Sequence, residues 1–339
     1  MKIPHVGLRA VAVASTVATL LVGCGAGDPE IAAGGETVFA LERDVVAGLV
    51  DAPTAAVAMP AFELRLALQA LLTEHATLSN EAMRRAIDGG DIADTLTELT
   101  RNTDDLTLAM GLVYGPVGAS AFDQLWTNHI EFFNNYGRAM ASGDATAAAA
   151  VRTELGHYEH DFSDFVDVAT EGGLDFDTVL HVLHSHVGQL LEQADAWEAG
   201  EYDAATTTGR AAFAHMDTIA GALAEAMAAQ QPDRFPGAVD DPAQATCVAA
   251  RLAVGDLIVT GADVEIADRA GDGDVHAASL RTLAETVEVA TERIGESSTE
   301  LLLGAMSVYT ESTSIPRARA RLLSTEVDRA TEAVCAPVR

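Results

Sequence analysis

The chain has 339 residues, of which 49% are hydrophobic and 5% aromatic, and its 51 acidic against 20 basic residues give a formal charge of −31. This length fits about two modest domains with a packed core, and so acidic a surface argues against nucleic acid as a partner. Lys2 is the only lysine, so a chain that has lost its N-terminus cannot use Schiff-base chemistry.

The N-terminus has the features of a bacterial export signal. Lys2 and Arg9 form a positive region, and the apolar stretch from Ala10 to Val22 is too short to span a membrane as a helix. It ends in Leu-Val-Gly-Cys at residues 21–24, which resembles the lipobox of bacterial lipoprotein precursors. The resemblance implies that the signal peptide, residues 1–23, is removed and that Cys24 carries lipid.

This resemblance also predicts where the protein resides. Acyl chains on Cys24 would anchor it to the outer face of the cell membrane, or to a periplasmic or outer-membrane surface where two membranes are present. Residues 24–35 are rich in Gly and Ala and are expected to form a flexible tether. The membrane is therefore an expected partner through the lipid, and another envelope protein is a further candidate.

Cys247 and Cys335 are the two cysteines that remain once Cys24 is assigned to lipid. In an exported, oxidising setting such a pair is expected to form a disulfide. Two free buried thiols are the alternative.

The body of the chain has helical periodicity rather than the alternation of strands, which predicts an all-α protein. A first helix is expected where Val38, Leu41, Val45 and Leu49 recur at helical spacing, ending before Pro53. Six further helices are expected in an up-down bundle of three helical hairpins. Their predicted bounds are 62–88, 92–114, 119–142, 145–170, 176–199 and 202–230.

A second, smaller domain is expected to follow this bundle, which is assigned to residues 36–236. Residues 237–245 are predicted to form a linker, because Gly, Pro and Asp are concentrated there. Residues 246–339 would then form a helical domain of about four helices. It would be interrupted near Gly271 and at Pro316, and closed by the disulfide.

Three histidines recur at equivalent places in the predicted bundle. His75, His129 and His186 each interrupt an apolar stripe, 14 or 15 residues before a Gly that is followed by an acidic residue. Those Gly-acid pairs mark the hairpin turns, about four helical turns away, so the three imidazoles are expected at one height. Asp161 and His215 lie at similar or slightly lower heights on the return helices.

The angular positions of these residues differ. At about 100° per residue, His75 and His129 point within roughly 10° of the centres of their apolar stripes. His186 and Asp161 lie on the flanks, roughly 70–80° from the centre, and His215 lies near 100°. The pattern favours a two-histidine centre with flanking candidates. Four other histidines point away from the core: His157, His160, His181 and His184.

A buried layer of imidazoles and a carboxylate must bond to each other, to water, to a metal or to a ligand, because unpaired burial is costly. Bundles often build metal sites from facing helices, and this donor set suits Cu, Zn or Fe. The predicted ligands are His75, His129, Asp161, His186 and His215, with Met216 as a further candidate. A metal-free polar network, an organic ligand or a partner helix are the alternatives. The usual catalytic motifs do not occur, so binding or sequestration is predicted rather than catalysis.

Residues 62–236 also resemble a helical region found in exported bacterial proteins. The resemblance lies in the strings Leu-Thr-Glu-His at 72–75, Leu-Trp-x-x-His-Ile-x-Phe-Phe at 125–133, Tyr-x-x-Asp-Phe-x-x-Phe at 158–165, His-Val at 186–187 and Ala-His-Met at 214–216. That region is uncharacterised, so the resemblance implies no activity. It places weight on the same five candidate ligands and none on His157 or His160.

Overall fold

The computed structural model describes residues 59–296, 298–300, 303, 326–332 and 334–335. Cys24, the predicted tether, the helix expected over 38–49 and the break at Pro316 lie outside the described residues. Within the described part the protein is all-α, as predicted, and no strand is found there.

The helices of the described part begin and end close to the predicted positions. The six helices predicted between residues 62 and 230 begin and end within a few residues of the observed positions. This agreement arises because hydrophobic periodicity and Gly-containing turns specify these helices locally. In chain order the helices are α1 (Ala61–Ile87), α2 (Ala93–Ser142), α3 (Ala145–Ala169), α4 (Phe176–Glu198), α5 (Tyr202–Gln230), α6 (Ala245–Ala270), α7 (Gly273–Ile294) and α8 (Val327–Thr331).

Helix α2 contains a sharp turn that divides it into two arms. Gly115 has φ 71° and ψ −175°, a non-helical conformation that favours glycine, and Pro116 follows it. The arms fold back on each other, since Thr107 Oγ1 lies 3.4 Å from Asp123 Oδ1 across the turn. These arms are the second and third helices predicted from the sequence, so the six-helix up-down bundle is confirmed.

The α1–α2, α2–α3 and α4–α5 turns lie at one end of the bundle. Trp197, near the end of α4, donates from Nε1 to Asp88 just after α1, at 3.0 Å. Tyr136, near the end of α2, donates to Asp195 of α4. Residues that lie the same number of helical turns from this end therefore share a height, which is the condition for a polar layer.

Helices α6 and α7 pack against the bundle through α5. Phe213 of α5 clusters with Val254, Leu257 and Ile258 of α6. The predicted break near Gly271 separates α6 from α7. These contacts give the C-terminal helices an apolar boundary with the bundle.

Two features of α6 bear on its environment. Cys247, in its first turn, forms the predicted disulfide with Cys335, a pairing that is thereby confirmed. In the part of the chain that the structure describes, Ala245–Val264 is the one stretch long and apolar enough to cross a membrane by length and composition, and an 18-residue window within it is 56% buried. A core helix meets the same criterion.

Candidate metal centre

His75 of α1 and His129 in the second arm of α2 face each other in the interior of the bundle. Their Nε2 atoms lie 3.0 Å apart, and the residues are 1% and 4% exposed. At that distance one Nε2 donates a hydrogen bond to the other, so the two neutral rings hold opposite tautomers. Ser79, one turn after His75, places its Oγ 3.4 Å from the same His75 nitrogen.

Aromatic rings hold the His75–His129 pair in place. Trp126, one turn before His129, lies 4.6 Å from His75 and 4.5 Å from His129 between ring centroids. Tyr158 of α3 stacks on His129 at 4.8 Å with an interplanar angle of 12°. Side chains confined on several sides lose little further entropy when the nitrogens engage a ligand. The pair is therefore preorganised.

The pair borders a cavity of about 40 Å³, here called the histidine cavity. A cavity of this size has room for a few water molecules or an ion. His186 of α4 is 7% exposed and lines the cavity. The lining also includes two thioethers, and it consists of Leu68, Leu72, His75, Leu106, Met110, Phe122, Trp126, His129, Phe133, Tyr158, Phe162, Leu183, His186, Val187, Met216, Ile219 and Leu223.

The imidazoles of this cavity are uncharged at neutral pH. Burial lowers the pKa of His129 to about 3. Burial, with smaller effects of His215 and His129, lowers the pKa of His186 to about 3. Burial also places the pKa of His75 well below its ordinary value, helped by His129 and His186. The neutral imidazole is the form that binds a metal, so binding needs no net loss of a proton from the pair, only a shift of the shared proton from Nε2 to Nδ1 of the same ring.

Several ring nitrogens have no hydrogen-bond partner. The Nδ1 atoms of His75, His129 and His186 are buried without one. The carbonyls of Trp126 and Leu125 lie near the His129 ring and raise its pKa slightly against the effect of burial. Neither takes a well-aligned hydrogen bond from Nδ1. Buried polar atoms left in this state carry a desolvation cost, and an ion between the two Nε2 atoms would not reach these Nδ1 atoms to relieve it.

The flanking candidates fall at different distances from the pair. His215 of α5 is half-buried and stacks beside His186 with 6.2 Å between ring centroids. Its Nε2 is buried and without a hydrogen-bond partner. Asp161 of α3 lies outside the cavity lining, and its charged neighbours are Asp164, His157 and His160. The structure therefore brings three of the five predicted ligands to one cavity, places His215 beside His186 outside the cavity lining, and leaves Asp161 apart.

A second polar group beside the pair was not anticipated from the sequence. Glu74, adjacent to His75, is 4% exposed and accepts a hydrogen bond from Asn102 Nδ2 at 2.9 Å. Arg101 also pairs with Glu74. Burial raises the pKa of Glu74, while Asn102 and Arg101 oppose that rise. The apolar periodicity of α1 does not indicate that Glu74 is buried, because the carboxylate is paired by an arginine on a neighbouring helix.

The pair by itself is an incomplete coordination shell. Among the described residues, no three His, Cys, Asp or Glu side chains already converge in an arrangement that could hold a metal ion. Two imidazole nitrogens do face each other, and further donors would have to come from His186, from thioethers or from water.

No protein-family model, curated protein or solved structure matches the chain. The resemblance noted for residues 62–236 therefore stays a prediction, and the functional argument rests on the geometry of the site.

Proposed function

We propose that the protein binds or sequesters a transition metal ion between His75 and His129, as an exported lipoprotein tethered to a membrane through Cys24. The observation that carries this proposal is the 3.0 Å separation of the two Nε2 atoms inside an apolar cavity. Two metal–imidazole bonds of about 2.0–2.1 Å at right to tetrahedral angles place their nitrogens roughly 2.9–3.4 Å apart. At the observed separation a metal could take the position between the two Nε2 atoms, with the shared proton moving to Nδ1 of the same ring.

The surroundings of the pair support binding rather than catalysis. The cavity is walled by aliphatic and aromatic side chains, which would shield a bound ion from water and from other ligands. His186 lies on the same cavity and can supply a third imidazole after a side-chain rotation. A site that holds an ion away from solvent suits storage, transfer or sequestration in the cell envelope.

Metal analysis of the full chain, purified without a His tag, tests the proposal. We expect one bound ion per chain after loading with Cu, Zn or Fe and removal of excess metal. The double variant His75→Leu/His129→Leu should lose that ion while keeping the helical circular dichroism signal. The matched control His157→Ala removes a histidine whose side chain is 70% exposed and should retain the ion.

A metal-free structural or interaction lipoprotein is the second candidate. The 3.0 Å contact between the two Nε2 atoms also supports this candidate, because the Nε2–H of one ring can donate a hydrogen bond to Nε2 of the other. That hydrogen bond satisfies both atoms without a metal. In that case no metal binds stoichiometrically, and added Cu, Zn or Fe leaves the melting temperature of the protein unchanged. Loss of metal from the His157→Ala control and not from the double variant would contradict the proposed site.

A further inference from the structure

We infer that the ion is monovalent and soft, namely Cu(I), and that the thioethers of Met216 and Met110 complete its coordination. This inference rests on the proposed function. It is carried by the chemistry of the cavity lining, which offers neutral nitrogen and sulfur donors and no anionic one among its described residues.

The charge balance of the cavity selects against divalent ions. The cost of moving an ion from water into a low-dielectric interior grows with the square of its charge, so it is about fourfold larger for a divalent ion. No Asp or Glu appears in the lining to offset that cost. A monovalent ion coordinated by neutral donors is therefore more favourable in this cavity than a divalent ion.

The nearest carboxylates along the chain have other partners. Glu74, next to His75, accepts from Asn102 at 2.9 Å. Asp217, next to Met216, pairs with Arg65 at 3.1 Å on the other side of α5. Each carboxylate is therefore held away from the cavity by a specific hydrogen bond, and turning it inward would break that bond.

The two methionines supply the donor type that distinguishes Cu(I). Met110 and Met216 are 4% and 2% exposed, and both line the cavity with His75 and His129. Thioether sulfur favours Cu(I), whereas Zn(II) prefers imidazole with thiolate or carboxylate. Methionine is also flexible enough to bring its sulfur toward an ion without a backbone shift.

The test compares ions on the full chain, purified without a His tag. Cu(I), kept reduced with ascorbate, is titrated against a chromogenic Cu(I) chelator, and Ag(I) serves as a monovalent, redox-stable substitute. Zn(II) and Co(II) are titrated in parallel with a competing chelator for divalent ions. We expect one equivalent of Cu(I) or Ag(I) to bind at least a hundredfold more tightly than Zn(II) or Co(II).

Conservative variants test the thioethers directly. Met216→Leu and Met110→Leu should each weaken Cu(I) binding at least tenfold, while the melting temperature of the metal-free protein changes little. The matched control is Met83→Leu, which alters a fully buried methionine in a different core cluster. It should leave Cu(I) affinity unchanged. If both cavity variants bind Cu(I) within twofold of the wild type, the thioether role is wrong.

The possible results distinguish a failure of the Cu(I) inference from a failure of the proposed metal centre. If Zn(II) or Co(II) binds as tightly as Cu(I), and His75→Leu/His129→Leu abolishes that binding, the proposed metal centre is supported and the inferred selectivity for Cu(I) is wrong. If no ion binds at the pair, the proposed metal centre is wrong, and the Cu(I) inference that rests on it is wrong as well.

Discussion

Two cavities of this protein show opposite solutions to burying polar groups. The histidine cavity holds neutral imidazoles with unpartnered Nδ1 atoms among apolar side chains. A larger cavity of about 100 Å³, here called the charged cavity, lies where α1 and α5 meet α6 and α7. Its lining includes Arg84, Asp263, Arg210 and Asp88.

The charged cavity is rich in ionic groups that already have partners. Arg84 donates to Gln193 at 2.9 Å and to Asp263 at 3.3 Å, and its guanidinium lies 4.6 Å from the centre of the Trp197 ring. Arg210 pairs with Asp256 at 2.8 Å. Charge density alone therefore does not mark a binding site. The histidine cavity differs in that its unpartnered atoms are ring nitrogens of neutral imidazoles, whereas the charged cavity uses its ionic groups to join the bundle to the C-terminal helices.

The largest expected effect is the response of the histidine cavity to acid. The pKa of His129 is about 3 in the folded chain and returns to about 6.5 on unfolding, so between these values only the unfolded chain binds that proton. The free energy of unfolding is then highest above pH 6.5 and falls toward pH 3. A histidine whose pKa is lowered to about 3, as for His129 and His186, contributes a slope of about 1.4 kcal/mol per pH unit in this window.

Chemical denaturation at a series of pH values measures this slope. We expect His75→Leu/His129→Leu to remove the contribution of His129 and that of His75, whose pKa is also lowered by burial, so its unfolding free energy should depend less steeply on pH than that of the wild type. His157→Ala should reproduce the wild-type slope. Equal slopes for the double variant and the wild type would show that the two imidazoles are not buried neutral groups.

The next effect concerns the charged cavity. Arg84→Leu would remove the contacts of this guanidinium to the partly buried Asp263 and to the buried Gln193, at a cost of about 3 kcal/mol in the free energy of unfolding. Metal binding at the histidine cavity should be unchanged. Urea unfolding gives the first quantity and metal analysis the second.

A surface ion pair provides the control for Arg84. Arg281 pairs with Asp203, and their side chains are 59% and 66% exposed. Arg281→Leu should therefore cost less than about 1 kcal/mol. A similar loss of stability from both variants would mean that burial does not set the energetics of the charged cavity.

The smallest expected effect is the energetic coupling between the two members of the histidine pair. His75→Leu or His129→Leu alone leaves one buried nitrogen without its partner, at a cost of about 1–3 kcal/mol. The double variant removes both polar atoms, so its cost should be smaller than the sum of the single ones by about 1 kcal/mol or more. A double-mutant cycle in urea tests this, and strict additivity would contradict a direct contact.

The comparison also shows how far sequence reasoning reaches. Helix bounds and the inward direction of His75 and His129 follow from periodicity along single helices, and both agree with the structure. His186 was placed on the flank of its stripe, yet it is 7% exposed and lines the cavity. The packing of α4 against its neighbours sets how much of its circumference is covered, and the sequence of α4 alone does not encode this.

Contacts between helices account for the remaining differences. Asp161 shares the predicted height but lies among outer-face groups of α3, because angle as well as height decides what a residue meets. The sequence of α2 does not single out Met110, and only the fold brings it to the same cavity as Met216. The ion pairs of the charged cavity join residues on different helices, Arg84 with Asp263 at 179 positions and Arg210 with Asp256 at 46 positions along the chain, which no local pattern indicates.

Imidazole ¹⁵N NMR of the full chain, recorded with and without one equivalent of Cu(I) or Zn(II), tests the central claim most directly. Without metal, one of the two facing Nε2 atoms should carry a proton and the other should not. With metal, both should be unprotonated and shifted, both rings should carry their protons on Nδ1, and His157 and His160 should be unaffected. Shifts confined to His157 and His160, or a retained Nε2–H at the His75–His129 pair, would contradict a metal centre there.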